Sequence, residues 1–121
     1  MTALVLGPVL RYVDSETASI WVQTTDAAEV TVRLAERKWA APTFAVHGHH
    51  YALVDVVGVQ PGQRQEYTVE VGGVVVWPTD DQPPSTLATP AADSLPTVAF
   101  GSCRTSVPHD AKGHLTHGVD A

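Results

Sequence analysis

The chain has 121 residues, of which 44% are hydrophobic and 17% are charged, and its formal net charge is −6. This length suits one hydrophobic core, and the composition is that of a globular chain rather than a disordered one. The acidic balance argues against a nucleic-acid backbone or an anionic membrane surface as a partner.

The first segment, MTALVLGPVL, is apolar for only a few residues, contains Pro8 and has no basic residue. It predicts a first strand, not a signal peptide or a membrane span. The single cysteine cannot form an internal disulfide, so the fold needs no oxidising compartment. We therefore expect a soluble, cytoplasmic chain.

Alternation of apolar and polar residues predicts further strands along the chain. In chain order they lie at residues 18–23, 30–34, 52–59, 66–71 and 74–76. Gly72 and Gly73 separate the last two, which is a hairpin signal. Residues 34–39 predict one helical turn at most. Short strands separated by turns indicate an all-β fold, an antiparallel β-sandwich.

A domain boundary is predicted after this sandwich. Residues 78–96 contain five of the nine prolines, with Asp, Ser and Thr between them, which is typical of a stiff linker. Within it, residues 85–89 could add a last edge strand, and residues 97–100 begin a new apolar strand. We expect a complete β-sandwich at residues 1–90, followed at 91–121 by a linker and the start of a second domain as an extended C-terminal tail.

Three segments resemble one family. VGVQPGQRQEYTVEV, residues 57–71, is similar to the Pro-Gly turn and strand of fibronectin type III-like sandwiches, where Tyr67 would be the corner tyrosine that bonds to the backbone. With GPVLRYVDSETASIWVQT at 7–24 and VAFGSCR at 98–104, the order resembles the N-terminal region of alkaline phosphatase D-type (PhoD-like) metallophosphoesterases. The resemblance covers the whole chain and implies a fibronectin type III/immunoglobulin-like sandwich, then the first strand of a calcineurin-like catalytic domain.

The resemblance also implies a role for Cys103. In the family, the cysteine after that first strand is a thiolate ligand of iron, in a site that also holds calcium. A soft thiolate suits a transition metal, and a metal pair can generate hydroxide and neutralise phosphoryl charge. Further carboxylate, Asn and His ligands come from later strands. We therefore expect the 121-residue chain to hold no cofactor and to be inactive, as a non-catalytic domain that packs against and positions its partner, the catalytic domain.

Other interpretations of Cys103 stay open. A free cysteine is commonly a small buried hydrophobic residue. A tyrosine-phosphatase loop would need an arginine where His109 stands, and a nucleophile elbow would need a glycine where Thr105 stands. For the whole chain, the alternative function is a free-standing fibronectin-like binding module.

Two other features raise functional hypotheses. His47 and His49 would share one face of a strand and could chelate a metal, with His50 beside them, although a solvated strand edge is the simpler interpretation. Trp21 alternates with core residues and should point outward. Either a neighbouring strand or Arg33 covers it, or it belongs to a docking surface for the catalytic domain.

Overall fold

The computed structural model describes residues 2–102, and the regular elements in that range are all strands. They are β1 Leu4–Val13, β2 Thr17–Thr24, β3 Glu29–Leu34, β4 Arg37–Pro42, β5 Phe44–Val46, β6 His49–Val57, β7 Arg64–Val71, β8 Val74–Trp77 and β9 Ser85–Ala88. No helix within residues 2–102 has the length and apolar character needed to cross a membrane.

The strands form two antiparallel sheets that pack face to face. The first sheet has the order β1-β2-β6-β5, and the second has the order β4-β3-β7-β8, with β9 also paired to β7. The predicted all-β antiparallel sandwich is confirmed. The core is built from the inward residues of both sheets, because period-two alternation places every second side chain between them. Its largest fully buried apolar members are Ile20, Leu87, Val22, Val30, Val32, Val54, Val56 and Val69.

Most predicted strands are found, with ends shifted by a few residues. The glycine hairpin is also found, since Val71 pairs with Val74 and both Gly72 (φ 59°) and Gly73 (φ 84°) have positive φ. The sequence allowed one helical turn at most at residues 34–39, and the structure has no helix there. There the chain makes the β3–β4 hairpin, in which Leu34 pairs with Arg37 and Ala35 takes a φ of 49°.

The long-range bonds of β4 explain why this strand forms without an alternating pattern. Arg37 Nη1 donates to the carbonyl oxygen of Gly58 (2.7 Å), and Trp39 Nε1 donates to that of Val57 (3.1 Å). The Arg37 guanidinium also lies 4.7 Å from the centroid of the Trp39 ring. These bonds join β4 of the second sheet to the end of β6 in the first, and so close one side of the sandwich.

The chain leaves the sandwich through a clamp at Thr89. Its buried hydroxyl donates to the carbonyl of Gln60 (2.6 Å) and accepts from the amide of Gln63 (3.1 Å), while its own amide donates to the carbonyl of Gln63 (2.9 Å). The next residue, Pro90, accepts a bond from the amide of Gly62 (3.2 Å). The point of departure is therefore fixed to the β6–β7 connection.

Tyr67 lies within β7, and its ring is buried, as expected for a structural residue. The expected bond from its hydroxyl to the backbone is not what the structure has. Ser85 lies opposite Tyr67 on β9, and Trp77 Nε1 donates to the Ser85 hydroxyl (2.7 Å). Burial raises the pKa of Tyr67, and the nearby Ser85 side chain partly offsets that rise. The Trp77–Ser85 bond thus joins β9 to β8.

The turn between β1 and β2 is organised by the carboxylate of Asp14. One oxygen accepts the amides of Glu16 (2.9 Å) and Thr17 (2.7 Å), and the other accepts the hydroxyl of Tyr12 (2.9 Å). These bonds favour the charged form and lower the pKa of Asp14 to about 2, with the Glu16 amide as the largest cause.

This turn predicts a pH dependence. Because the folded-state pKa of Asp14 lies below its unfolded value of 3.8, its contribution is fully present above that value and is lost as pH falls towards 2. Asp14→Asn keeps a side-chain oxygen that can accept the two backbone amides, but it cannot titrate. The free energy of unfolding of this variant should therefore fall less steeply between pH 4 and pH 2. Urea midpoints across this range measure the effect, with Asp93→Asn in the exposed segment as control. Equal slopes for Asp14→Asn and the unmodified chain would contradict the assignment.

Candidate docking face

The outward surface of the first sheet carries a row of large apolar side chains. Strand register places Val9 beside Trp21, Trp21 beside Leu53, and Phe44 beside Tyr51, all on the side of the sheet away from the core. We call these five residues the aromatic face. Val9, Phe44 and Leu53 are exposed, and Trp21 and Tyr51 are half-buried.

The rings of the aromatic face hold one another in place. Trp21 and Tyr51 stack with centroids 5.7 Å apart and an interplanar angle of 26°, and Phe44 lies 6.0 Å from Tyr51. The neighbouring strand therefore covers part of Trp21, as one interpretation of the sequence expected. Arg33 does not cover it, because Arg33 lies in the second sheet. Rings that are ordered before binding lose little entropy when a partner covers them.

The outward surface of the second sheet is different. Register places Thr31 beside Glu70 and Arg33 beside both Lys38 and Thr68. Arg33 Nε and Glu70 Oε2 form an ion pair at 2.9 Å. A sandwich that stands alone in water is normally polar on both outer surfaces. Within residues 2–102 the first sheet departs further from this rule than the second, so its aromatic face is the candidate interaction surface.

The histidine segment does not form the hypothesised chelating pair. His47 has a φ of 48° and Gly48 has a φ of 79°, so both lie in the two-residue turn that joins β5 to β6. His49 is the first residue of β6, where its ring Nδ1 lies 3.3 Å from the side-chain Nε2 of Gln23. His47 and His49 therefore do not share a strand face, since the turn separates them.

A metal site is not assembled in the part of the chain that the structure describes. Between residues 2 and 102, no three His, Cys, Asp or Glu side chains come close enough to hold one ion. The predicted iron ligand, Cys103, lies outside the described residues. The iron and calcium that the family resemblance implies would therefore need ligands from outside the described residues.

The segment after the clamp is apolar and uncovered. The side chains of Leu95, Val98 and Phe100 are 95%, 75% and 96% exposed. The strand predicted at residues 97–100 is not formed, and residues 95–102 have no regular structure. A strand requires a neighbour for its backbone groups, and within the described range none lies beside this segment.

A groove opens on the side of the sandwich opposite the Arg37 and Trp39 bonds. It lies between two edge strands, β1 of the first sheet and β8 of the second. We call it the edge groove, and its main lining residues are Leu4, Val5, Val71, Val74, Val76 and Trp77. None of the residues that line it is charged.

Sequence reasoning identified Trp21 but missed Phe44, Tyr51 and Leu53 as its companions. The alternation of β6 contained a signal, because Tyr51 and Leu53 have the parity opposite to the buried Ala52 and Val54. The position of Phe44 had no such signal, since β5 is only three residues long and is exposed throughout.

Comparison with known families finds one match, to a domain of unknown function, DUF7800, over residues 1–89. Neither the curated proteins nor the solved structures that were compared give a match.

Proposed function

The chain belongs to the DUF7800 family, and from the resemblance of its segments 7–24, 57–71 and 98–104 we propose that it is the non-catalytic N-terminal sandwich of a PhoD-like metal-dependent phosphatase or phosphodiesterase. In this proposal the sandwich packs against the catalytic domain and positions it. Chemistry belongs to that partner domain. The cytoplasmic location expected from the sequence stays a prediction.

The observation that carries the proposal is the aromatic face. Exposed Phe44 and Leu53 flank the stacked Trp21–Tyr51 pair on one sheet, while the opposite sheet carries the Arg33–Glu70 ion pair on its outer surface. Apolar surface that clusters on one side of a domain favours burial against another protein surface, and aromatic side chains dominate the energy of such contacts. A positioning domain needs a surface of this kind.

The segment 95–100 supports the proposal that a catalytic domain follows the sandwich. Its apolar side chains have no cover in the described structure, and its sequence continues into the Ser-Cys pair on which the family resemblance rests. A first strand of a catalytic sheet would be uncovered in this way when its neighbouring strands are not present.

Cys103 would serve the partner domain under this proposal. As a thiolate it would be one ligand of iron, and the metals would activate the attack on a phosphate ester. One thiolate cannot hold a metal pair, because affinity comes from several deprotonated ligands held together. We therefore expect the 121-residue chain, supplied with iron and calcium, to hydrolyse neither an aryl phosphate nor an aryl phosphodiester.

The decisive experiment compares this chain with a polypeptide that continues through the reading frame after residue 121. The longer polypeptide should be active, and Cys103→Ala should lower its metal content and its turnover together. Turnover by the 121-residue chain that disappears with Cys103→Ala would refute the proposal. A following reading frame without carboxylate, Asn and His ligands would favour the free-standing binding module instead.

The docking role has a separate test in the same longer polypeptide. Phe44→Ser with Leu53→Ser should leave the isolated sandwich nearly as stable, because both side chains are exposed there. In the two-domain protein the double variant should shorten the half-life of activity on heating. Thr31→Ser on the second sheet is the matched control. Equal half-lives for both variants would remove the aromatic face from the interdomain contact.

A further inference from the structure

We propose that the edge groove binds the segment 95–100 of a second copy of this chain, which adds a strand to the free edge of β8. This inference concerns the 121-residue chain by itself, because in a longer polypeptide the proposed catalytic sheet would take up the same segment.

The edge of β8 is open to strand addition. The strand pairs with β7 on one side, and it is the last strand of its sheet, so the backbone groups on its other side face no strand within residues 2–102. Val74 and Val75 are 52% and 57% exposed, and β8 contains no charged residue and no proline. Sheet edges that stay unpaired usually carry charged residues or prolines, and these residues block the addition of a further strand.

The edge groove favours an uncharged occupant. Leu4 and Val5 form one wall, and Val74, Val76 and Trp77 form the other. A charged side chain placed here would lose water without finding a partner, so the inserted strand should be apolar on the side that enters.

The segment 95–100 has the matching chemistry. Residues 97–100 contain no charged residue and no proline, so each of their backbone amides can donate a hydrogen bond. The segment also has the same number of residues as β8. In an extended conformation Val98 and Phe100 point to one side and Thr97 and Ala99 to the other. Val98 and Phe100 would enter the groove, while Thr97 would stay towards water.

The occupant is a second copy because the molecule does not cover its own groove. The segment follows the Thr89 clamp, which lies at the start of β7, whereas the groove contacts Val71 at the end of that strand. The two points are separated by the length of β7, about 26 Å for eight residues, which the chain from Pro90 to Val98 could span only if it were fully extended. It is not extended, since the amide of Ser94 bonds to the carbonyl of Ala91 (3.4 Å) in a turn. In the described structure Phe100 is almost fully exposed and does not reach the groove. Reciprocal exchange between two copies would close a symmetric dimer and cover the β8 edge of both copies.

The test is the mass of the chain by sedimentation equilibrium over a wide concentration range. The 121-residue chain should rise from one copy to two, and a chain that ends at Ala92 should stay a single copy. Val98→Asp with Phe100→Asp should raise the dimer dissociation constant about tenfold or more. Leu95→Ser, which changes the opposite side of the segment, is the matched control and should keep the dimer.

The groove side is tested by Val74→Asp, which should weaken the dimer as strongly as the segment variants do. The Val74→Asp variant should still fold, because Val74 is more than half exposed. Amide hydrogen exchange should slow at residues 97–100 and in β8 when the dimer forms. A dimer that persists in the chain ending at Ala92, a single copy at every concentration, or dissociation by Phe44→Ser with Leu53→Ser would each overturn the inference.

Discussion

Leu87→Ala should lower the free energy of unfolding by about 2–4 kcal/mol, although Leu87 lies in a stretch whose composition predicts a linker. Leu87 is only 2% exposed and belongs to the core cluster. Its strand β9 pairs with β7 from Arg64 to Tyr67 and so completes the edge that β8 begins. Removing three carbons from this position leaves a cavity between the sheets, which the surrounding valines cannot fill without moving their strands.

The matched control is Leu95→Ala, eight residues further along the chain. The same atoms are removed, but Leu95 is 95% exposed, so the free energy of unfolding measured in urea should change by no more than about 0.5 kcal/mol. The comparison is made at low protein concentration, where a single copy dominates. Equal effects at Leu87 and Leu95 would mean that β9 is not part of the cooperative core.

Gly7→Ala should lower the free energy of unfolding by about 3 kcal/mol or more, through two separate causes. Gly7 has a φ of 95°, which an L side chain rarely adopts. An added Cβ would also lie 2.7 Å from the backbone carbonyl oxygen of Trp21, and 3.3 Å from the Cα of Val22. Because both neighbours are backbone of β2, β1 must shift for the methyl group to fit.

Gly48→Ala separates these causes. Gly48 has a φ of 79° in the β5–β6 turn, and no atom lies within 4 Å of the position its Cβ would take. It should therefore show the conformational cost alone, about 1–2 kcal/mol. Urea unfolding measures the loss in free energy of unfolding for both variants, and the difference between the two losses is the cost of the contact with β2. Similar losses for both would show that β1 moves away from β2 at little cost.

The sequence predicted the strands whose burial alternates and missed those held by distant bonds. In β2, Ile20 and Val22 are fully buried and Trp21 between them points outward, so the local pattern contains the structure. In β4, Arg37 and Lys38 precede Trp39 without alternation. That strand depends on carbonyls of Val57 and Gly58, about twenty positions away, and no local pattern reveals such a contact.

The candidate site was predictable only one residue at a time. Parity within β2 gives the outward direction of Trp21, but the stacking partner Tyr51 comes from β6 and Phe44 comes from β5. Which residues meet depends on the register between strands, and for β5 and β6 that register is set by the two-residue turn at His47 and Gly48. The expected role of Cys103 stays a prediction, since it rests on resemblance alone.

The Thr89 clamp has a mechanical consequence. Tension on the chain beyond Pro90 would not first peel β9 from β7, because the load passes into the loop at Gln60, Gly62 and Gln63. That loop is connected onward, since the amide of Val59 donates to the carbonyl of Glu16 at 3.1 Å, next to the β1–β2 turn. Through the bonds of Thr89, a pull on the tail would therefore act on both sheets together.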